Sequence, residues 1–127
     1  MSVGRVCSPG NGAVELEVSS GEYLEYRVTR ADADVQYVLA RGNDEPLFDS
    51  SSCPAPCTCR WPSEGEQPSG DEVRHTLSIQ FFGDDTLSFE VDRMSAAGAV
   101  EEVVKRCTFR NSGGADEHFE ALRVFLS

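Results

Sequence analysis

The amino-acid sequence predicts an all-β protein, an antiparallel β-sandwich of about seven strands with one long loop rich in Pro, Ser and Cys. Apolar and polar residues alternate with a period of two over most of the chain, as half-buried strands require. The alternating runs are short and are separated by Gly, Asp, Asn and Ser, which favour turns. The 127 residues make a single domain, 1–127, long enough to bury an ordinary core.

The elements follow in order. "AVELEV" places Val14, Leu16 and Val18 on one face and Glu15 and Glu17 on the other. After the turn Ser19-Ser20-Gly21, "EYLEYRVT" gathers Leu24, Tyr26 and Val28, and "DVQYVLAR" gathers Val35, Tyr37 and Leu39. Gly42-Asn43-Asp44 breaks that strand. Residues 43–72 hold five of the six prolines, many Ser and three of the five cysteines, and read as a long loop of the kind that is functional or stapled. Strands resume with "RHTLSIQFF", where Leu77, Ile79 and Phe81 share a face. Gly83-Asp84-Asp85 signals a tight hairpin into "TLSFEVDRM", with Leu87, Phe89 and Val91 inward.

The last third reads two ways. Val100, Val103, Val104 and Cys107 fall at helical spacing, and Glu101–Lys105 and Glu102–Arg106 would be favourable helical pairs. Against this, Ser95–Gly98 reads as a hairpin turn, the valines favour strands, and no helix stop precedes "CTFR". Leu122, Val124 and Leu126 alternate with Arg123 and Phe125 in a final strand, although Phe119, Leu122 and Leu126 also fit a short helix face. Strands are the expectation for 99–126. The alternative is an α+β fold, a five-stranded antiparallel meander with two C-terminal helices.

The formal charge is −11, from 22 acidic and 11 basic residues, and only Lys105 among the latter is Lys. The Arg bias matches codon pressure in a GC-rich genome and assigns no function. No basic run exists, which argues against nucleic acid and against an anionic membrane surface. No apolar stretch reaches the roughly 20 residues of a membrane helix. "MSVGRVCSPGNG" lacks the basic-then-apolar order of a signal peptide. An extracellular or exported location is expected if the cysteines are oxidised, and a cytoplasmic one otherwise.

Cys53, Cys57 and Cys59 lie within seven positions, with Cys7 and Cys107 far away in sequence. Cys53 and Cys57 can close a short turn, leaving a loop cysteine for Cys7 or Cys107; an odd count leaves one thiol free or between chains. The competing reading is zinc on the C-x3-C-x-C cluster, with a fourth ligand from Cys7, Cys107, His75 or His118. A third is reduced structural thiols. His75 opens a predicted strand and His118 lies in an acidic turn, and both read as surface or strand-end residues. No nucleophile, phosphate-loop or metalloprotease motif occurs, so no enzyme is expected. Asp32, Asp34, Asp44, Glu45, Asp84 and Asp85 sit at strand ends but complete no calcium loop, and read as turn residues.

The acidic strands, their aromatic residues and the Gly-Asp turns resemble small accessory β-sandwich domains of bacterial extracellular proteins, without a motif that selects a family. The expected function is a non-catalytic binding or structural module. It would present the 43–72 loop, through Phe48, Arg60 and Trp61, to a protein or glycan partner, or to further copies in a larger assembly. The alternatives are a small acidic inhibitor or immunity protein that neutralises a basic or nucleic-acid-binding surface, and a zinc-stabilised protein built on the cysteine cluster.

Overall fold

The computed structural model describes residues 2–8, 14–42, 45–63 and 72–126. Among these are ten strands and no helix: β1 (Ser2–Ser8), β2 (Val14–Val18), β3 (Tyr23–Ala31), β4 (Gln36–Arg41), β5 (Glu45–Asp49), β6 (Cys57–Trp61), β7 (Glu72–Phe81), β8 (Thr86–Met94), β9 (Val100–Ser112) and β10 (Asp116–Leu126). They form two five-stranded sheets, ordered β1-β9-β8-β3-β6 and β2-β10-β7-β4-β5. Pairing is antiparallel throughout except between β2 and β10. The β-sandwich is thus the fold, and the helical alternative for the last third is excluded.

Period-two alternation explains which side chains meet between the sheets. Leu24, Tyr26 and Val28 of β3 and Leu87, Phe89 and Val91 of β8 are buried, as are Tyr37 and Leu39 of β4 and Leu77, Ile79 and Phe81 of β7. The Ser95–Gly98 turn joins β8 to β9 as a hairpin, with Gly98 N–H donating to Ser95 O and Gly98 at a φ of 86° that suits glycine.

Three expectations are corrected. The strands number ten rather than about seven, and two of them, β5 and β6, lie inside the stretch 43–72 that reads as loop. Gly83-Asp84-Asp85 is not a hairpin turn, because β7 and β8 belong to different sheets and the segment crosses between them. His75 is not a surface residue. It is in phase with Leu77 and Ile79 and is fully buried.

Burial dictates the state of His75. Tyr26 Oη hydrogen-bonds His75 Nδ1 at 2.5 Å, and the Trp61 ring meets the imidazole edge to face at 4.4 Å. Loss of hydration disfavours the imidazolium, and nearby Arg41 adds to this, so the pKa falls from 6.5 to about 4. Tyr26 then donates its hydroxyl proton to a neutral ring.

A depressed histidine pKa means that the unfolded chain binds the proton first. The stabilisation is complete above pH 6.5 and is lost as pH falls toward 4, amounting to about 3 kcal/mol across that window. Urea unfolding at stepped pH should show this slope in the native protein, and a flatter profile between pH 6.5 and 4 in His75→Gln.

Candidate functional site

The cysteines resolve into two disulfides, Cys7–Cys107 and Cys53–Cys57, with Cys59 free. No loop cysteine reaches Cys7 or Cys107, contrary to the expected long-range link. Register explains the first bond, since Cys7 of β1 lies directly opposite Cys107 of β9. The second closes the turn between β5 and β6, where Tyr37 Oη also donates to Cys53 O at 2.5 Å. Cys59 is half-buried, and burial pushes its thiol pKa up, which makes it a poor nucleophile. With Cys53 and Cys57 joined, the loop offers a metal one thiolate rather than three.

Two of the predicted contact residues are core residues. Phe48 is 5% exposed and Trp61 2% exposed, so their rings fasten β5 and β6 to the body rather than face a partner. Arg60 is exposed, with its guanidinium over the Tyr23 ring at 4.0 Å and its Nε donating to Pro62 O. The outward side of the first sheet is closed further by ion pairs. Arg27 contacts Glu25 at 2.6 Å, Glu90 at 3.0 Å and Asp92 at 2.6 Å, and Arg106 reaches Asp92 at 2.8 Å. Burial pushes the Asp92 carboxyl up, but Arg106 and Arg27 outweigh it and hold it below its ordinary value.

Of the expected turn carboxylates, Asp32 accepts Thr86 N–H and Asp84 accepts Gly113 N–H. Asp44 lies outside the described residues.

Charge also lies between the sheets. Lys105 of β9 is 1% exposed and pairs with Glu120 of β10, which is 4% exposed. Arg5 of β1 forks onto the same carboxylate, with Nε on Oε1 and Nη2 on Oε2, both at 2.6 Å. His118 Nε2 lies 3.0 Å from Glu120 Oε1. Burial pushes the Glu120 carboxyl up, but the bonds from His118, Arg5 and Lys105 overcome this and hold it well below the usual carboxylate range. Strand phase was the available signal, because Lys105 is in phase with Cys107 and Phe109, and Glu120 with Leu122 and Val124.

The outward side of the second sheet is different. Register aligns Phe119, Ser78 and Val38 in one row across β10, β7 and β4, and Glu117, Gln80 and Gln36 in the next. These six side chains border a shallow depression of about 230 Å³. Phe119 is 62% exposed, and Val38, next but one in its row, is 37% exposed. Gln80 is held by its amide, which donates to Phe81 O and Asp116 O.

No helix among the described residues is long and apolar enough to cross a membrane. No protein-family model matches the chain, and no curated protein or solved structure matches it either.

Two stability predictions follow from the buried groups. Cys7–Cys107 closes a separation of 100 residues and Cys53–Cys57 one of 4. Loop-closure entropy then assigns about 5 kcal/mol to the first and about 2 kcal/mol to the second. Denaturation of Cys7→Ser/Cys107→Ser should therefore show clearly the larger loss than Cys53→Ser/Cys57→Ser. Lys105→Met leaves a buried carboxylate short of a partner and should cost about 3 kcal/mol. Lys105→Met/Glu120→Gln should recover part of that loss in the same chemical denaturation assay.

Proposed function

We propose that the protein is a non-catalytic binding module of an oxidising, extracellular compartment that holds a glycan on the outward face of its second sheet. The observation that carries this reading is the depression bordered by Phe119, Val38, Ser78, Gln36, Gln80 and Glu117. A phenyl face is electron-rich and attracts the C–H-bearing face of a pyranose ring. Gln amides and the Ser hydroxyl both donate and accept, as sugar hydroxyls do. Rigid strands set these groups at fixed spacing, which lowers the entropic cost of binding. The two disulfides are compatible with export and supply that rigidity.

The acidic-inhibitor reading asks for a cluster of unpaired carboxylates. The carboxylates Glu25, Glu90 and Asp92 on the first sheet are instead interleaved with Arg27 and Arg106, which weighs against it.

Titration against a panel of neutral and acidic oligosaccharides tests the reading. Binding of the neutral members is expected to be insensitive to salt from about 0.05 to about 0.5 M, because contacts to an uncharged sugar are not screened. Phe119→Ala should weaken it by about tenfold or more, the value of one lost ring contact. Arg60→Ala, on the other sheet, should leave it unchanged. Unchanged affinity in Phe119→Ala, or loss in Arg60→Ala, would move the site to the first sheet. A steep fall with salt would instead support a basic protein partner.

A further inference from the structure

A second depression opens on the outward side of the second sheet. It holds about 360 Å³ and is bordered by Glu15, Leu16, Glu17 and Phe125. Phe125 follows Phe119 on β10 by an even number of residues, so both rings project from the outward side of the strand. β2, which carries Glu15 and Glu17, is the edge strand beside β10, and Glu17 stands in register with Phe125. Each depression thus has one phenyl ring of β10 at its border.

We propose that the ligand is a linear, uncharged oligosaccharide that runs along β10 and fills both depressions, with one sugar on Phe119 and another on Phe125. The inference rests on the glycan reading and deepens it, from a sugar at one ring to a stretch of chain across two. At the rise of an extended strand the two rings stand about 20 Å apart, a span that takes about four or five linked pyranose rings.

The surface between the rings leaves a path for such a chain. Ala121, Thr76 and Ala40 form the row after Phe119, Ser78 and Val38, and their side chains are short. Arg123 and Arg74 stand opposite each other in the row after that. Arg123 Nε donates to Glu72 at 2.8 Å and its Nη1 to Glu15 at 2.6 Å, and its guanidinium lies 5.3 Å from the centre of the Phe125 ring. These contacts restrain Phe125 before a ligand arrives, which lowers the entropic cost of binding there. Arg74 is exposed and offers guanidinium donors to sugar hydroxyls.

Charge selects an uncharged chain. Glu117 borders the depression at Phe119, and Glu15 and Glu17 border the one at Phe125. Carboxylates accept hydrogen bonds from sugar hydroxyls, and such bonds are stronger than those between neutral groups. The same carboxylates repel a uronate or a sulfate, and the formal charge of −11 adds to this. Two subsites joined by one chain also act together. Once one ring is covered, the next sugars are held close to the other, so affinity grows with chain length until both rings are reached.

The test is calorimetric titration with cello-, xylo-, manno- and chito-oligosaccharides, each from disaccharide to hexasaccharide. In a series that binds, the hexasaccharide should bind about tenfold or more tighter than the disaccharide. Phe119→Ala and Phe125→Ala should each cut hexasaccharide affinity by about tenfold or more. Circular dichroism follows the fold in parallel, and if Phe125→Ala fails to fold, Glu17→Ala takes its place, with a loss of several-fold for the hexasaccharide. Oligogalacturonates should bind more weakly than the neutral chains of equal length. Affinity that does not grow with length, or a hexasaccharide indifferent to changes at Phe125 and Glu17 but weakened by Phe119→Ala, would overturn this inference and leave the single-ring glycan reading standing. Tighter binding of the oligogalacturonates would overturn it too. Binding of no series, or no loss in Phe119→Ala, would remove the glycan reading and this inference with it. Sedimentation without sugar should show a monomer; a dimer that Phe125→Ala dissociates would give this face to a second copy of the chain and overturn the proposal.

Discussion

The sandwich depends on a carboxylate that has to be satisfied inside it. Glu120 projects from β10 toward the opposite sheet, where water cannot solvate it, and an isolated charge there would cost several kcal/mol. Three groups answer it: Lys105 from β9, Arg5 from β1 and His118 from its own strand. Lys105 and Arg5 belong to one sheet and Glu120 to the other, so the cluster ties the sheets together at one place and fixes how they face each other. Apolar packing alone tolerates sliding, since its energy depends on area and not on direction. A forked guanidinium and a buried ammonium do not. The Cys7–Cys107 bond holds β1 in the register that brings Arg5 to Glu120, so the covalent and ionic restraints support each other.

The same cluster explains why the last third of the chain reads ambiguously. A bulge in β9 shifts the pairing from Val91↔Lys105 to Asp92↔Val103, which leaves Val104 as the extra residue. The bulge lets Val104 and Lys105, neighbours in sequence, both be buried. It thereby breaks the period of two and leaves apolar residues at 100, 103, 104 and 107, which imitate a helix face. Only Val104 and Cys107 of that set are buried; Val100 and Val103 are about half exposed. A single inserted residue is enough to change the apparent period.

Most inward residues were legible because alternation is a direct consequence of the pleat. What was missed has physical causes. β6 does alternate, with Cys57, Cys59 and Trp61 inward and Thr58 and Arg60 outward, but the prolines and serines around it masked five residues of pattern. The segment 82–85 has the chemistry of a hairpin turn, and a crossing between sheets asks for the same residue types. Lys105, Glu120 and His75 were not recognised as interior groups because residue type suggested the surface, while strand phase placed each of them inward. Phe48 and Trp61 failed in the opposite sense. Large rings in a polar segment suggested contacts for a partner, yet a short strand at a sheet edge needs just such rings to stay attached.

The two outward faces differ in a way that favours the second sheet for the proposed binding. On the first, Arg27 and Arg106 are committed to Glu25, Glu90 and Asp92, and Arg60 to Tyr23. A ligand that used those groups would have to break existing contacts, and the gain would be offset by the loss. On the second sheet, Phe119 and Val38 already pay the cost of exposure to water, and covering them recovers it. The backbone beneath is held by strand pairing on both sides of β7 and β10, so little order remains to be imposed when a ligand arrives. Neutral side chains held at fixed spacing around Phe119 and Val38 gain from being covered, whereas the paired charges around Arg27 and Arg106 do not.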